Sequence, residues 1–359
     1  MSQDIALSML LSAYRASGIL PDKTLWVADE QTDIGTLLAS FATEKPFLLT
    51  HRYDQVRAWR QMKGQGIAND YDFSACPSAS QIFFRIAKEK ALLHYIVNQA
   101  LIVLPVGDVL WLSGGVNEGA KSLFEKLRDS AFLNLDIERG DKKTLLAKVT
   151  KTCEINEALL DDRDYADWFE LRYDDPDETD VLQTFVSKCG IYGWDKLDLG
   201  TELLWQMVMA VDAEKNLQPE SILDLGCGYG WLIVQAGLQW PEAKLVATDN
   251  NVTALMAVQQ NAYRFGLVVD VIAADAGDEI QSSFDLILCN PPFHQGFDVE
   301  NDLTLHFLKS AARLLAKTGA AFFVVNSFIP LEKKAVGIFK RIELLEDNRK
   351  FKVIKLSHM

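Results

Sequence analysis

The sequence has no CxxC pair, no long apolar run and no excess of positive charge, and each absence removes a class of function. Its five cysteines (Cys76, Cys153, Cys189, Cys227, Cys289) are scattered, so neither a zinc site nor a redox pair is expected. Reduced cytoplasmic thiols are the plain reading. No stretch reaches the ~18 apolar residues that a membrane helix needs. The start, Met1-Ser2-Gln3-Asp4-Ile5, lacks the basic segment of a secretory leader. The expectation is a cytoplasmic protein with no membrane partner and no metal. A net charge of −14 argues against attraction of nucleic acid by the surface as a whole.

What is present is enough to build with. The 359 residues, 49% of them hydrophobic, favour two domains of ordinary size with full cores. Charge is unevenly spread. Asp174 to Asp180 is an acidic loop, whereas Glu332 to Lys355 carries eight basic residues against four acids. Those bases (Lys333, Lys334, Lys340, Arg341, Arg349, Lys350, Lys352, Lys355) form either a phosphate-gripping patch or a solvated face.

The C-terminal half alternates strands and helices. Strands are expected at Ser221–Leu225, Lys244–Thr248, Asp270–Ala274, Phe284–Cys289 and Ala320–Val325. Helices are expected at 232–238, 254–265 and 303–315. Continuous apolar strands in such alternation predict a parallel sheet covered on both faces. The N-terminal half shows the plan more faintly, with strands at Leu25–Ala28, Phe47–Thr50, Gln81–Ile86 and Val109–Leu112, and a helix over 91–104.

A repeat links the halves. At an offset of 212, Leu93 matches Leu305, His94 matches His306, Ala100 matches Ala312 and Gly107 matches Gly319. The counterpart of the glycine turn described next is Val27-Ala28-Asp29-Glu30-Gln31, which has no glycine. The first half is therefore read as a duplicate without a cofactor site. The expected layout is a degenerate domain over 1–165, an acidic linker over 166–180 and a catalytic domain over 181–359.

Asp224-Leu225-Gly226-Cys227-Gly228-Tyr229-Gly230 lies where a strand turns into a helix. Glycines let the backbone approach a ligand closely, and helix-start amides face an anionic group. Asp224, Asp249 and Asp275 stand at three successive strand ends. Each alone reads as a turn acid. Together they suit S-adenosyl-L-methionine, with Asp224 toward the methionine amine, Asp249 beside Asn250 on the ribose hydroxyls, and Asp275 on the adenine amine. Asp198 precedes an apolar helix as a start acid; Gly200 and Thr201 beside it either begin that helix or close over the methionine end.

Cys289-Asn290-Pro291-Pro292-Phe293 ends the fourth strand of this half. The Asn290 amide oxygen and the Pro291 carbonyl can accept hydrogens from a planar amine. The prolines hold those oxygens still. Phe293 can stack on a flat base, and His294 is either a loop residue or a functional group.

These motifs, with Leu197-Asp198-Leu199-Gly200, Asn326-Ser327-Phe328-Ile329-Pro330 and Arg349-Lys350-Phe351-Lys352-Val353, resemble the bacterial ribosomal RNA guanine-N2 methyltransferases. The likeness is greatest to the small-subunit branch, with the large-subunit branch next. It implies two tandem Rossmann-like methyltransferase folds in an α/β chain, each a mostly parallel seven-stranded sheet, the first degenerate. It also implies S-adenosylmethionine as cofactor, ribosomal RNA or the small ribosomal subunit as partner, and N2-methylguanosine in 16S rRNA as product. A monomer is expected. Methylation in 23S rRNA, of a protein glutamine amide or of adenine N6 are the alternatives.

Overall fold

The computed structural model describes residues 4–41, 44–174, 182–292 and 297–359. The chain divides into two compact units, Met1–Asp167 and Trp168–Met359. Unit 1 contains β1 (Thr24–Ala28), β2 (Phe47–Thr50), β3 (Gly66–Ala68), β4 (Gln81–Arg85), β5 (Val109–Gly115), β6 (Leu133–Arg139) and β7 (Thr144–Lys151). They form one sheet in the order β3-β2-β1-β4-β5-β7-β6. The first five are parallel, and β7 runs antiparallel between β5 and β6. A strand covered on both faces has no polar side to show, and every residue of β1 is buried. Trp26, Phe83 and Trp111 stack across three neighbouring strands of this sheet.

Unit 2 opens with a hairpin of β8 (Phe169–Asp174) and β9 (Leu182–Ser187). The sequence puts a linker at 166–180, but Phe169–Asp174 is strand; residues 175–181, most of the acidic loop, lie outside the described residues. The main sheet has β10 (Ser221–Leu225), β11 (Lys244–Asp249), β12 (Val269–Ala273), β13 (Phe284–Cys289), β14 (Leu315–Asn326), β15 (Arg341–Asp347) and β16 (Phe351–Ser357). Its order, β12-β11-β10-β13-β14-β16-β15, repeats that of unit 1 strand for strand. The chain thus holds two tandem Rossmann-like α/β folds. In each the strand order reverses beside the first strand, which opens a crevice at the carboxyl ends.

The ladders make the comparison residue by residue. With Thr24 set against Ser221, Val27 takes the place of Asp224, Asp29 of Gly226, His51 of Asp249 and Ile86 of Asn290. In the fifth strand Leu110 stands against Ala320, an offset of 210, so the Gly107–Gly319 match slips by two residues. Unit 1 fills this edge with its own side chains. Burial pushes the Asp29 carboxyl up to about 6, and its Oδ1 accepts from Thr32 Oγ1. Tyr71 donates to the Ala28 carbonyl at 3.0 Å and bonds His51, whose imidazole burial pushes down to about 3. Unit 1 is the degenerate fold.

Candidate active site

Three backbone reversals build the glycine turn of unit 2. Gly226, Gly228 and Gly230 have φ of 82°, 53° and 89°, a region that side chains disfavour. The amides of Gly226 and Cys227 both donate to the Thr248 carbonyl, at 2.9 and 3.0 Å, which ties the turn to β11. Gly230 starts the helix Trp231–Gln239, and a Cβ there would lie 2.9 Å from Val258 Cγ2. A Cβ on Gly228 would meet only the Tyr192 carbonyl, at 3.9 Å.

Asp224 lies beneath this turn, fully buried. Its Oδ2 accepts from the Ile233 amide at 3.2 Å, while Oδ1 is buried with no hydrogen-bond partner. Burial, aided by the nearby Asp249 carboxylate, pushes the Asp224 carboxyl up to about 8. Asp249 accepts from the Gly228 amide at 2.9 Å through Oδ2 and from the Asn251 amide at 2.8 Å through Oδ1. Asn250 follows it, half-buried. Asp275 is half-buried just past β12, with His306 Nδ1 4.0 Å from its Oδ2.

A pocket over the turn is lined by Thr201, Gly226, Gly228 and Asn290 from the expected set, and also by Tyr192, Asp198, Cys227 and Tyr229. Gly200, Gly230, Asp224, Asp249, Asn250, Asp275 and Pro291 lie outside its wall. Gly200 sits behind it, because a Cβ there would meet Asp198 Oδ2 at 2.8 Å and the Phe351 ring at 3.3 Å. Pro291 is buried, and Phe293 and His294 lie outside the described residues.

Asp198 does two things at once. It caps the helix Leu199–Lys215 by accepting from the Thr201 amide at 3.0 Å. The same Oδ2 accepts from Asn290 Nδ2 at 3.0 Å, and Thr201 Oγ1 accepts from that nitrogen at 2.8 Å. An ionised carboxylate only accepts, so the amide nitrogen of Asn290 must face it and Oδ1 must point elsewhere. Tyr192 also hydrogen-bonds Asp198; burial first, then this carboxylate, pushes its hydroxyl up to about 12.

Two contributors, Asn261 and Tyr192, gave little sign in the sequence. Asn261 is wholly buried, accepts from the Val186 amide and donates to the carbonyls of Val186 and Tyr229, joining β9 to the turn. Its one signal is a polar residue in the buried stripe Ala254, Ala257, Val258, Ala262. Tyr229 packs into the wall with its hydroxyl 3.3 Å from that of Tyr173. Tyr192 belongs to no periodic pattern. Burial raises the thiols of Cys227 and Cys289 well above their usual range, so neither is a nucleophile. Among the described residues no group of three or more His, Cys, Asp or Glu is placed to hold a metal, and no helix is long and apolar enough to cross a membrane.

The chain resembles known proteins in sequence and in fold. The methyltransferase small domain family matches residues 183–355. A Hahella chejuensis protein named ribosomal RNA small subunit methyltransferase C is 28% identical over 280 residues, 76% of each chain. The Klebsiella pneumoniae protein of that name is 24% identical over 344 residues, 93% of this chain and 91% of its own. The solved T. thermophilus 16S rRNA methyltransferase RsmC, in complex with AdoMet and guanosine, superposes over 100% of this chain and 93% of its own. That match has a TM-score of 0.81 at 20% identity. The chain is thus similar over most of its length to proteins named ribosomal RNA small subunit methyltransferase C.

The basic tail of this chain is not one patch. Lys352 is buried against Glu332 at 2.6 Å, and Lys355 is buried 3.7 Å from Glu343. Lys340 and Arg341 lie at the start of β15, beside Ser357, on the edge away from the glycine turn. Arg349 and Lys350 are exposed on the β15–β16 turn, where the Lys350 carbonyl accepts from the Ser327 amide at the carboxyl end of β14. That is the edge that carries Asn290.

Proposed function

We propose that unit 2 transfers a methyl group from S-adenosyl-L-methionine to the exocyclic N2 amine of a guanosine in 16S rRNA, giving N2-methylguanosine. One observation carries this reading: Asn290 is held by its nitrogen, with its carbonyl oxygen turned away from Asp198, at the mouth of a glycine turn. An arylamine is a weak nucleophile because its lone pair is delocalised into the ring. Oxygens that accept its hydrogens localise that pair, and the Asn290 amide and Pro291 carbonyl are the two that this strand end supplies. Fixed acceptors cost little reorganisation as charge develops on nitrogen.

Several residues fit the cofactor. Asp224 holds a buried carboxylate oxygen without a partner, suited to the field of an ammonium group. Asp249 and Asp275 end neighbouring strands and suit the ribose hydroxyls and the adenine amine. Gly228 admits close approach of the ligand to backbone. The cofactor supplies an electrophilic methyl on a sulfonium sulfur. The chain's own part is in-line placement of the acceptor nitrogen and acceptance of its hydrogens. No strong base is required, because the nitrogen becomes acidic as the bond forms.

The acceptor guanosine has to be unstacked to reach this pocket, so RNA loops or flipped bases are the substrates. Arg349 and Lys350, exposed on the pocket's edge, suit the flanking phosphates. The names of the relatives favour the small subunit over 23S rRNA, glutamine amides or adenine N6. Unit 1, with Val27 and Ile86 at the key positions, binds no cofactor and serves to engage the substrate. The enzyme acts as a cytoplasmic monomer. Tritiated methyl transfer to 30S subunits, free 16S and 23S rRNA, DNA and a release factor tests the assignment. Label in small-subunit RNA is expected; label confined to another acceptor overturns it.

A further inference from the structure

We infer that Asp198 is a positioning residue for the transfer: its carboxylate fixes which way the Asn290 amide faces. The inference rests on the function proposed above and adds to it the group that makes Asn290 a one-sided acceptor.

An asparagine amide is nearly symmetric in shape, so packing alone does not choose between its oxygen and nitrogen. With the amide flipped, a donor instead of an acceptor would meet the substrate amine, and the reaction would lose its acceptor. Asp198 removes that choice. Its Oδ2, 3.0 Å from Asn290 Nδ2, has no hydrogen to give and would repel a flipped carbonyl. Thr201 Oγ1, at 2.8 Å, donates or accepts and so cannot decide the question alone. Asp198 is itself held in place, since the same oxygen accepts from the Thr201 amide and Tyr192 bonds the carboxylate. Gly200 leaves room for it: a Cβ there would sit 2.8 Å from Oδ2. The carboxylate is thus seated by the helix start and aimed across the pocket at the end of β13.

Helix capping alone would predict something different, because serine caps as well as aspartate. Asparagine does not separate the two roles: the oxygen that caps is the one Asn290 meets, so an amide that keeps the cap keeps the bond. Asp198→Ser preserves the cap and withdraws the acceptor from Asn290. Asn290→Asp sets two carboxylates against each other. Adding Asp198→Ser to Asn290→Asp removes that repulsion and leaves a carboxylate oxygen facing the substrate.

The test is a double-mutant cycle on single-turnover methyl transfer to RNA at saturating cofactor, with thermal melting of each variant alongside. The expected result is a rate reduced at least tenfold in Asp198→Ser and further in Asn290→Asp. The double variant recovers at least tenfold over Asn290→Asp, and all melting temperatures stay close. A second readout needs no turnover: hydrogen exchange of the Asn290 side-chain amide, followed by 15N NMR in protein without cofactor. Protection in the wild type, lost in Asp198→Ser, is expected. An unchanged rate and unchanged protection in Asp198→Ser, or a double variant no faster than Asn290→Asp, overturns the inference. Wild-type protein that methylates no guanosine overturns the underlying function instead, and the exchange measurement still reports on Asp198.

Discussion

Asp224 Oδ2 accepts the backbone amide of Ile233 at 3.2 Å, while the other oxygen of the same carboxylate is sealed from water with no partner. A group at the end of β10 is thereby bound to the helix that follows it, under the glycine turn. The arrangement carries an electrostatic cost that the protein's response to pH should show.

The sign follows from the shift. The folded carboxyl titrates at about 8, chiefly through burial, against about 3.9 in an unfolded chain. The folded state holds the proton more tightly, so this group's stabilising contribution is complete below pH ~4 and is lost as pH rises toward 8. Asp224→Asn removes that slope. Its melting temperature, relative to the wild type, should climb between pH 4 and 8 and then level off, by roughly 2–4 °C for each kcal/mol relieved. Parallel curves for the two proteins would show that Asp224 is ionised and satisfied in the fold. S-adenosylmethionine affinity of Asp224→Asn, measured by calorimetry, should fall.

Asn290→Ala removes the acceptor and leaves the glycine turn. Binding of S-adenosylmethionine should remain within a few-fold, and kcat should drop by roughly 10²–10³, the usual cost of losing one fixed hydrogen-bonding group aimed at developing charge. Unchanged transfer would remove Asn290 from the mechanism.

Two glycines of one turn should separate stability from binding. Alanine at Gly230 meets both a left-handed backbone and Val258 Cγ2 at 2.9 Å, so Gly230→Ala should cost ~2–4 kcal/mol in urea unfolding. Gly228→Ala meets the backbone penalty alone, ~1 kcal/mol, but puts a methyl group on the pocket wall. It should lose cofactor affinity out of proportion to its stability.

The basic tail should divide by location. Replacing Arg349 and Lys350 with alanine should weaken RNA binding and flatten its salt dependence by about one unit of slope for each phosphate no longer neutralised. The pair Lys340→Ala and Arg341→Ala, at the far edge, should change both much less. Lys352→Ala should instead destabilise unit 2, by ~1–2 kcal/mol, because it strands the half-buried Glu332.

Legibility in the sequence follows the physics of each element. Strands buried on both faces announce themselves as apolar runs, and Phe47–Thr50, Ser221–Leu225 and Phe284–Cys289 begin and end as read. β6, β15 and β16 escaped because they alternate with charged residues, as in Leu133–Arg139, and mimic surface. Lys352 and Lys355 read as exposed charge for the same reason, although their stems lie in the sheet and their amines in ion pairs. The glycine turn and the Asn290 corner were legible because chemistry requires those residue types. The Asp198–Asn290 bond was not, since it joins residues 92 apart and each has an ordinary local explanation. Asn261, buried in an apolar helix stripe, belongs with it: one polar residue whose partners only the fold reveals.

The central claim is methyl transfer to guanosine N2 in small-subunit RNA. Nucleoside mass analysis of 16S rRNA, isolated from cells with and without the gene and then incubated with purified protein and S-adenosylmethionine, tests it most directly. The account predicts one N2-methylguanosine that is missing without the gene and restored by the wild-type protein but not by Asn290→Ala. Equal N2-methylguanosine in both RNAs, or a restored methyl group on any other atom, would contradict it.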